Sequence, residues 1–575
     1  MLCVPALFQG GDVRGAVATS STPATEAAAE ILAAGGNSVE AAVAAGFALA
    51  VSWPQAGNLG GGGFLLYRSP GGEARFLDFR EVAPAQARPD SYRNGDGSVD
   101  KKASLLGWRA VAVPGSVPGL AEAHRRWGRL PWPRVLEPAI RLARGGFPVT
   151  PELQRLFQNL RPSLTRDPIA RETFYTKSGE ALSAGSILKQ PRLAETLSAV
   201  SGKGAEAFQQ GSIVDGIVEA SRKGGGILTP GDFLNYEPKL RPVHRFTWQD
   251  LEILAPSPPS SGGIFLEQVL KSLSSTRLRL WGFRDARTIQ VVGEASARAF
   301  ADRNLWLGDP DGLDFNPEAL VDGRFLEFRR AALIPFRATP SMWLKATAWE
   351  EGDNTTHYSI MDVDGGACSI TTTLNSAFGA RVMAPGGFFL NNEMNDFAAA
   401  PRTPNQYGLI QGHYNEVVPG HRPLSSMSPI IVVRNGKVDA VLGSPGGPTI
   451  LTTVMQVLVN HYIFRMDGKR SVAAPRFHRQ DYPATLRFEP GRLTAPAIIG
   501  LRWIGQPLMR SKPIGDVNAI FRDAKGNLVP VTDPRRGSGP GLVARKKAGV
   551  TLLGEKGPQP ASADIPLDRS AVSGL

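Results

Sequence analysis

Asp353-Asn354-Thr355-Thr356-His357-Tyr358-Ser359 is the densest polar cluster of the chain, and it heads two alternating runs, residues 357–362 and 367–374. Runs of this length and period predict half-buried strands. Between them, Val363-Asp364-Gly365-Gly366 has the composition of a tight turn. A hairpin turning about Asp364 sets residue 355 opposite residue 373, to within one position, and both are threonines. Two facing threonines at a strand end form an ordinary cross-strand pair. They also suit chemistry in which one hydroxyl attacks and the other orients it. Threonine is a weak nucleophile without a base. The seven histidines, at 124, 244, 357, 413, 421, 461 and 478, form no metal-binding pair and supply no evident triad partner. The remaining device is the threonine's own α-amine, freed by cleavage of the preceding peptide bond. An α-amine has a pKa of about 8 and can accept a proton near neutrality. The hairpin alone leaves both uses open.

On the N-terminal side, residues 13–19 predict a strand. A helix follows, with Thr22 as N-cap, Pro23 at the first helical position and Gly35-Gly36 as its stop. A second, alanine-rich helix runs from Asn37-Ser38 to about Val51, suited to close packing. Gly57-Asn58-Leu59-Gly60-Gly61-Gly62-Gly63 comes next, then a strand at 64–67 and its hairpin partner at 73–79. A dinucleotide fingerprint lies between a strand and a helix. Here a helix precedes and a strand follows, so the glycines are expected to serve close backbone packing. Residues 115–345 carry helical patterns at 118–127, 132–145, 151–160, 191–201, 206–222, 262–273 and 286–305, with extended pieces near 241–255. Strands return at 430–433 and 438–442, and a helix fits 447–464. Strands and helices are segregated rather than alternating. That predicts an α+β protein with helices layered over a largely antiparallel sheet.

Of 575 residues, 64 are Gly and 46 Pro, above average but short of the roughly 25–30% of low-complexity chains. With 42% apolar and 20% charged residues the chain is a folded protein. The net charge is +12, with 24 Lys/Arg against 15 Asp/Glu from residue 355 onward. The tightest basic run there is only Arg545-Lys546-Lys547, which reads as a solvated face and not as a nucleic-acid stripe. Two cysteines, Cys3 and Cys368, exclude a disulfide framework and a cysteine-based structural zinc site. The most apolar stretch, 41–53, falls short of the ~20 residues of a spanning helix, so no membrane association is expected. The first ten residues show no complete signal peptide.

Longer motifs run in order through residues 14–540. They include Leu77-Asp78-Phe79-Arg80-Glu81-Val82-Ala83-Pro84, Pro258-Pro259-Ser260-Ser261-Gly262-Gly263, Thr355-Thr356-His357-Tyr358-Ser359, Leu390-Asn391-Asn392-Glu393-Met394-Asn395-Asp396-Phe397, Arg422-Pro423-Leu424-Ser425-Ser426-Met427-Ser428-Pro429 and Gly443-Ser444-Pro445-Gly446-Gly447. Together they resemble the gamma-glutamyltranspeptidase (glutathione hydrolase) family. The resemblance implies the four-layer αββα sandwich of N-terminal-nucleophile hydrolases, one domain formed by two autoprocessed chains. Cleavage would fall between Asn354 and Thr355, giving a large chain, 1–354, and a small chain, 355–575. It implies Thr355 as nucleophile with its own amine as base, Thr373 as its hydrogen-bond partner, and Gly446 and Gly447 as oxyanion donors. Arg80, Ser425 and Ser426 match the holders of the substrate α-carboxylate. Asn375, Glu393 and Asp396 match those of the α-amino group. Residues 401–412, with Tyr407, match a lid over the site. The implied substrates are glutathione and other gamma-glutamyl compounds, with water, an amino acid or a dipeptide as acceptor. No metal or organic cofactor and no nucleic-acid partner is implied. The family likeness suggests a periplasmic or secreted protein, and the lack of a complete leader leaves the cytoplasm open. Two rival readings stand beside it: a same-fold acylase of the cephalosporin-acylase kind, and an unprocessed, non-catalytic homologue.

Overall fold

The alanine-rich segment forms the helix Ser38–Ser52 in a computed structural model of the chain. The structure describes residues 12–273, 278–339, 355–400, 403–491, 493–536, 539–545 and 549–552. Asn37 caps this helix by accepting from the Val39 and Glu40 amides, and Glu40 reaches back to the Asn37 amide at 2.8 Å. Every residue of the helix is buried, as befits one that is apolar on all sides. It packs against helices Thr22–Ala33 and Trp132–Gly145 and against the strand Thr355–Asp362. The first helix departs from expectation by one position. Ser21 flanks it and Thr22 lies within it, because Pro23, lacking an N–H, is tolerated anywhere in the first turn.

Thr355–Asp362 and Ala367–Thr373 form the expected hairpin, with Thr373 paired to Thr355. They are the centre of an eight-stranded sheet. On one side follow Val13–Ala18, Leu542–Arg545 and Gly549–Leu552; on the other follow Gly62–Arg68, Ala74–Phe79 and Lys239–Arg241. All of these neighbours run antiparallel. A six-stranded antiparallel sheet faces it, in the order Leu528–Thr532, Asn518–Arg522, Lys437–Gly443, Ile430–Arg434, Leu251–Pro256 and Val243–Trp248.

Period-two alternation sorts the faces. Val17, Leu65, Leu77, Ile360 and Ile370 share a core with the N-terminal helices. Ala16, Phe64, Leu66, Phe76 and Met361 face a second core. That core also holds Ile253, Ile431 and Val441 of the second sheet, and Phe265, Phe300 and Val454 of helices Gly262–Leu273, Ala286–Trp306 and Thr449–Leu458. The layers are helix, sheet, sheet, helix, the αββα sandwich.

The glycine run serves close backbone approach. A Cβ on Gly61 would stand 2.0 Å from the Thr373 carbonyl oxygen, and one on Gly63 would stand 2.5 Å from that of Thr371. The helix expected over 206–222 is split into a 3₁₀ turn, Gly204–Phe208, and a helix, Ser212–Lys223, because the chain turns at Gly211 with φ 87°. That expected over 447–464 is Thr449–Leu458 followed by a π turn, Val459–Ile463. No helix among the described residues is long and apolar enough to cross a membrane. Cys3, Asn354, Pro401, Lys546, Lys547 and the tail from residue 557 lie outside the described residues.

Candidate active site

Thr355 begins its strand on the face turned toward the second sheet. Its Oγ1 lies 3.2 Å from Thr373 Oγ1, and both residues are buried. The Asn375 amide donates to Thr373 Oγ1 at 2.8 Å, which leaves the Thr373 proton available for Thr355. The nearest histidine in the strand, His357, is bonded to Thr371 Oγ1 at 2.9 Å and to Ser359 Oγ at 3.0 Å. Burial lowers its pKa to about 3, so it stays neutral and structural.

After the strand Lys437–Gly443 the chain turns through Gly446 and Gly447, at φ 130° and 53°, into the helix Thr449–Leu458. Side-chain-bearing residues rarely adopt such φ values. The ring of Tyr407 covers Gly447: a Cβ there would come within 2.9 Å of Tyr407 Cε1. Gly447 lines the pocket that holds Thr355, whereas Gly446 sits one residue behind it. The Tyr407 hydroxyl donates to the side-chain oxygen of Asn375, and Gln406 Nε2 donates to that same oxygen at 2.9 Å. Gln406 and Tyr407 are thus latched to Asn375. It also follows that the Asn375 oxygen, expected to meet an ammonium, is already occupied.

Arg80 follows the end of Ala74–Phe79 and is 1% exposed. Its guanidinium meets Glu393 at 2.9 Å, Asp396 at 2.6 Å and Glu81 at 3.5 Å. Burial works against its charge, yet the three carboxylates hold its pKa above the ordinary guanidinium range. Burial conversely pushes Glu393 well above the carboxylate range and Glu81 up to about 7. The two directions are reconciled by stoichiometry. One cation serves three carboxylates, so Arg80 is fully compensated and each acid only partly. Among the described residues, Glu393 Oε1 and Asp396 Oδ1 are buried without a hydrogen-bond partner, an arrangement that suits an entering ammonium.

Ser425 and Ser426 lie across the pocket, on a loop held by the serine pair of the earlier motif. Ser261 donates to the Ser425 carbonyl from its amide and its hydroxyl, both at 2.8 Å. Thr355, Thr373, Arg80, Asn375, Glu393, Asp396, Ser425, Ser426, Tyr407 and Gly447 therefore share one pocket. Further polar residues line it as well, Arg303 from outside every motif quoted above and Gln411 from the 401–412 segment. Arg303, in the last turn of Ala286–Trp306, is 2% exposed. Gln411 is 6% exposed, and neither of its side-chain polar atoms has a partner among the described residues. In the sequence, Arg303 is one cation among many on an amphipathic helix; only the fold turns it inward.

The sequence profile of the gamma-glutamyltranspeptidase family matches residues 24–543. A glutathione hydrolase proenzyme of Escherichia coli K12 is 38% identical over 525 residues, covering 91% of this chain and 90% of that protein. One from Pseudomonas aeruginosa is 40% identical over 541 residues, covering 92% and 95%. Among solved structures, a cephalosporin acylase from Bacillus halodurans superposes with a TM-score of 0.81 at 24% identity, covering 97% of this chain and 99% of that one, a likeness of fold. A family profile spanning most of the chain, together with relatives matched along nearly their whole length, makes this chain a member of the gamma-glutamyltranspeptidase family.

Proposed function

We propose that the protein is an autoprocessing gamma-glutamyltransferase and glutathione hydrolase that works through a gamma-glutamyl ester on Thr355. The observation that carries the reading is the meeting, in one pocket, of the Thr355–Thr373 pair, a carboxylate cluster with unpaired acceptors, and the Ser425–Ser426 loop. Cleavage between Asn354 and Thr355 yields chains of 354 and 221 residues that stay together as a heterodimer. It frees the Thr355 amine, which takes the hydroxyl proton as Thr355 attacks the γ-carbonyl. The Gly446 and Gly447 amides receive the oxyanion. The amine leaving group departs with a proton, and water or an amino acid or dipeptide then accepts the acyl group. Arg80, Ser425 and Ser426 hold the α-carboxylate; Glu393 and Asp396 receive the α-ammonium. A glutaryl amide, the kind of substrate the acylase reading implies, has no ammonium to meet Glu393 Oε1 and Asp396 Oδ1. The reading includes a periplasmic or secreted location, which cell fractionation tests.

Purified protein incubated with glutathione is expected to give glutamate and cysteinylglycine, and to give gamma-glutamyl-glycylglycine when glycylglycine is added. A single uncleaved band of 61.5 kDa with intact glutathione would sink the reading. Gly447→Ala should lower kcat by about 10²-fold, the effect of one lost oxyanion donor. The added methyl meets Tyr407 and the φ of 53° is strained for alanine. Unchanged kcat would remove Gly447 from the oxyanion site.

A further inference from the structure

Three stretches that no motif quoted above covers, residues 278–287, 332–339 and 493–512, meet on one face of the protein. Trp281 ends the helix Leu278–Trp281 and Trp503 ends the helix Ala495–Trp503. With Phe283 and Phe336 they line one surface depression of about 660 Å³. The 332–339 stretch is tied to the second helix where the Ala338 amide donates to the Ile504 carbonyl at 3.0 Å. Trp503 is 87%, Leu280 79% and Phe336 69% exposed, and Ile334, Ile499 and Met509 are exposed with them. Single exposed apolar residues need no explanation, whereas a group of them marks an interaction surface. The same stretches carry seven Arg/Lys against one acid, Asp285, and that acid is paired with Arg287 at 2.9 Å. Arg284, Arg337, Arg502, Arg510 and Lys512 are exposed and form no ion pair among the described residues. The Arg284 guanidinium stands 5.0 Å from the centre of the Phe283 ring and that of Arg287 5.3 Å from Trp281, so cations and rings lie side by side.

We propose that this face docks the protein on membranes rich in anionic lipid, its apolar side chains entering the interface and its arginines meeting the headgroup phosphates. Trp, Phe and Leu beside Lys and Arg are the side chains that interfacial segments bury. Each cation close to an anionic leaflet strengthens binding about fivefold. The contact is peripheral, since no helix among the described residues is long and apolar enough to cross. The sequence spoke against membrane association only through its lack of a spanning segment, and these three stretches meet only in the fold. A second copy suits the face less well, because a symmetric contact would set the unpaired arginines against one another. A nucleic acid would meet arginines and rings but leave Leu280, Ile499 and Met509 without a partner. The inference is independent of the gamma-glutamyl reading.

The test is co-sedimentation of the purified full-length protein with vesicles of phosphatidylcholine, alone or mixed equally with phosphatidylglycerol. The protein is expected to sediment with the anionic vesicles, to stay in solution with the neutral ones, and to be released by about 0.5 M salt, which screens charges beyond a few ångströms. Trp503→Ser combined with Phe336→Ser should weaken binding at least about tenfold. Arg284→Gln combined with Arg502→Gln should weaken it about 25-fold. All four side chains are exposed, so the melting temperature of each variant should match wild type. Lys101→Gln combined with Lys102→Gln removes two exposed cations of another segment and should change binding less than about threefold. Equal binding to both kinds of vesicle, or a loss as large in the Lys101 and Lys102 variant, overturns the proposal. So does absence of binding to the anionic vesicles. A Trp503-dependent dimer in sedimentation velocity, Trp503-dependent retention of single-stranded DNA, or Trp503 shielded by residues 340–354 in footprinting then identifies the occupant that takes the face instead.

Discussion

Thr355→Ala is expected to purify as one uncleaved chain and to hydrolyse γ-glutamyl-p-nitroanilide at least about 10⁴-fold more slowly than wild type. Two functions are lost with one hydroxyl. The oxygen that attacks the substrate carbonyl is also the one that attacks the preceding peptide bond, so the variant can neither free its amine nor use it. The loss should not be one of folding. Thr355 is buried in a hairpin whose register is set along the whole strand, from Thr355↔Thr373 to Met361↔Ala367. Alanine removes only one hydrogen bond, the 3.2 Å contact with Thr373, a cost of about 1 kcal/mol. Melting temperatures of variant and wild-type precursor within a few degrees, beside the lost turnover, would separate chemistry from stability. Thr355→Ser keeps the nucleophile and should still cleave itself. A Thr355→Ala protein that splits in two and turns over the anilide would show that another residue is the nucleophile.

The hairpin was legible because turn chemistry and period-two alternation agree there, and register follows from the turn alone. The layered architecture was legible because strands and helices are segregated along the chain, and the alanine-rich run that forms Ser38–Ser52 marked a helix suited to close packing. The strand Leu542–Arg545 was not, since four residues bounded by a basic run carry no pattern of their own. It forms only because Val13–Ala18 offers it an edge. At the site, sequence motifs named the side chains but not their partners. Arg80 matches a carboxylate holder, yet the fold sets Glu81, Glu393 and Asp396 around it. Asn375 matches an ammonium acceptor, yet Gln406 and Tyr407 occupy its oxygen. Apart from the adjacent Glu81, these partners lie from 31 to 316 positions away, and no local rule encodes them.

The carboxylates around Arg80 make its replacement the second large effect. Arg80→Met preserves volume but leaves Glu81, Glu393 and Asp396 without their shared cation. Breaking a buried pair in this way costs about 3–5 kcal/mol. The cost depends on pH, and its sign follows from proton binding. Burial already raises Glu81 to about 7, and Glu393 is raised further. Without Arg80 the main opposition to those shifts is gone. The folded variant then holds protons that the unfolded chain releases near its ordinary carboxylate pKa, about 4.3. Where the native state binds more protons, stability falls as pH rises. The melting temperature of Arg80→Met should thus lie close to wild type at pH 5 and well below it at pH 8. Equal deficits at both pH values would mean that the acids are not what Arg80 compensates. Activity should fall by more than about 10³-fold in kcat/KM, because the cation expected to hold the substrate's α-carboxylate is lost and the acids expected to meet its ammonium lose their counter-charge.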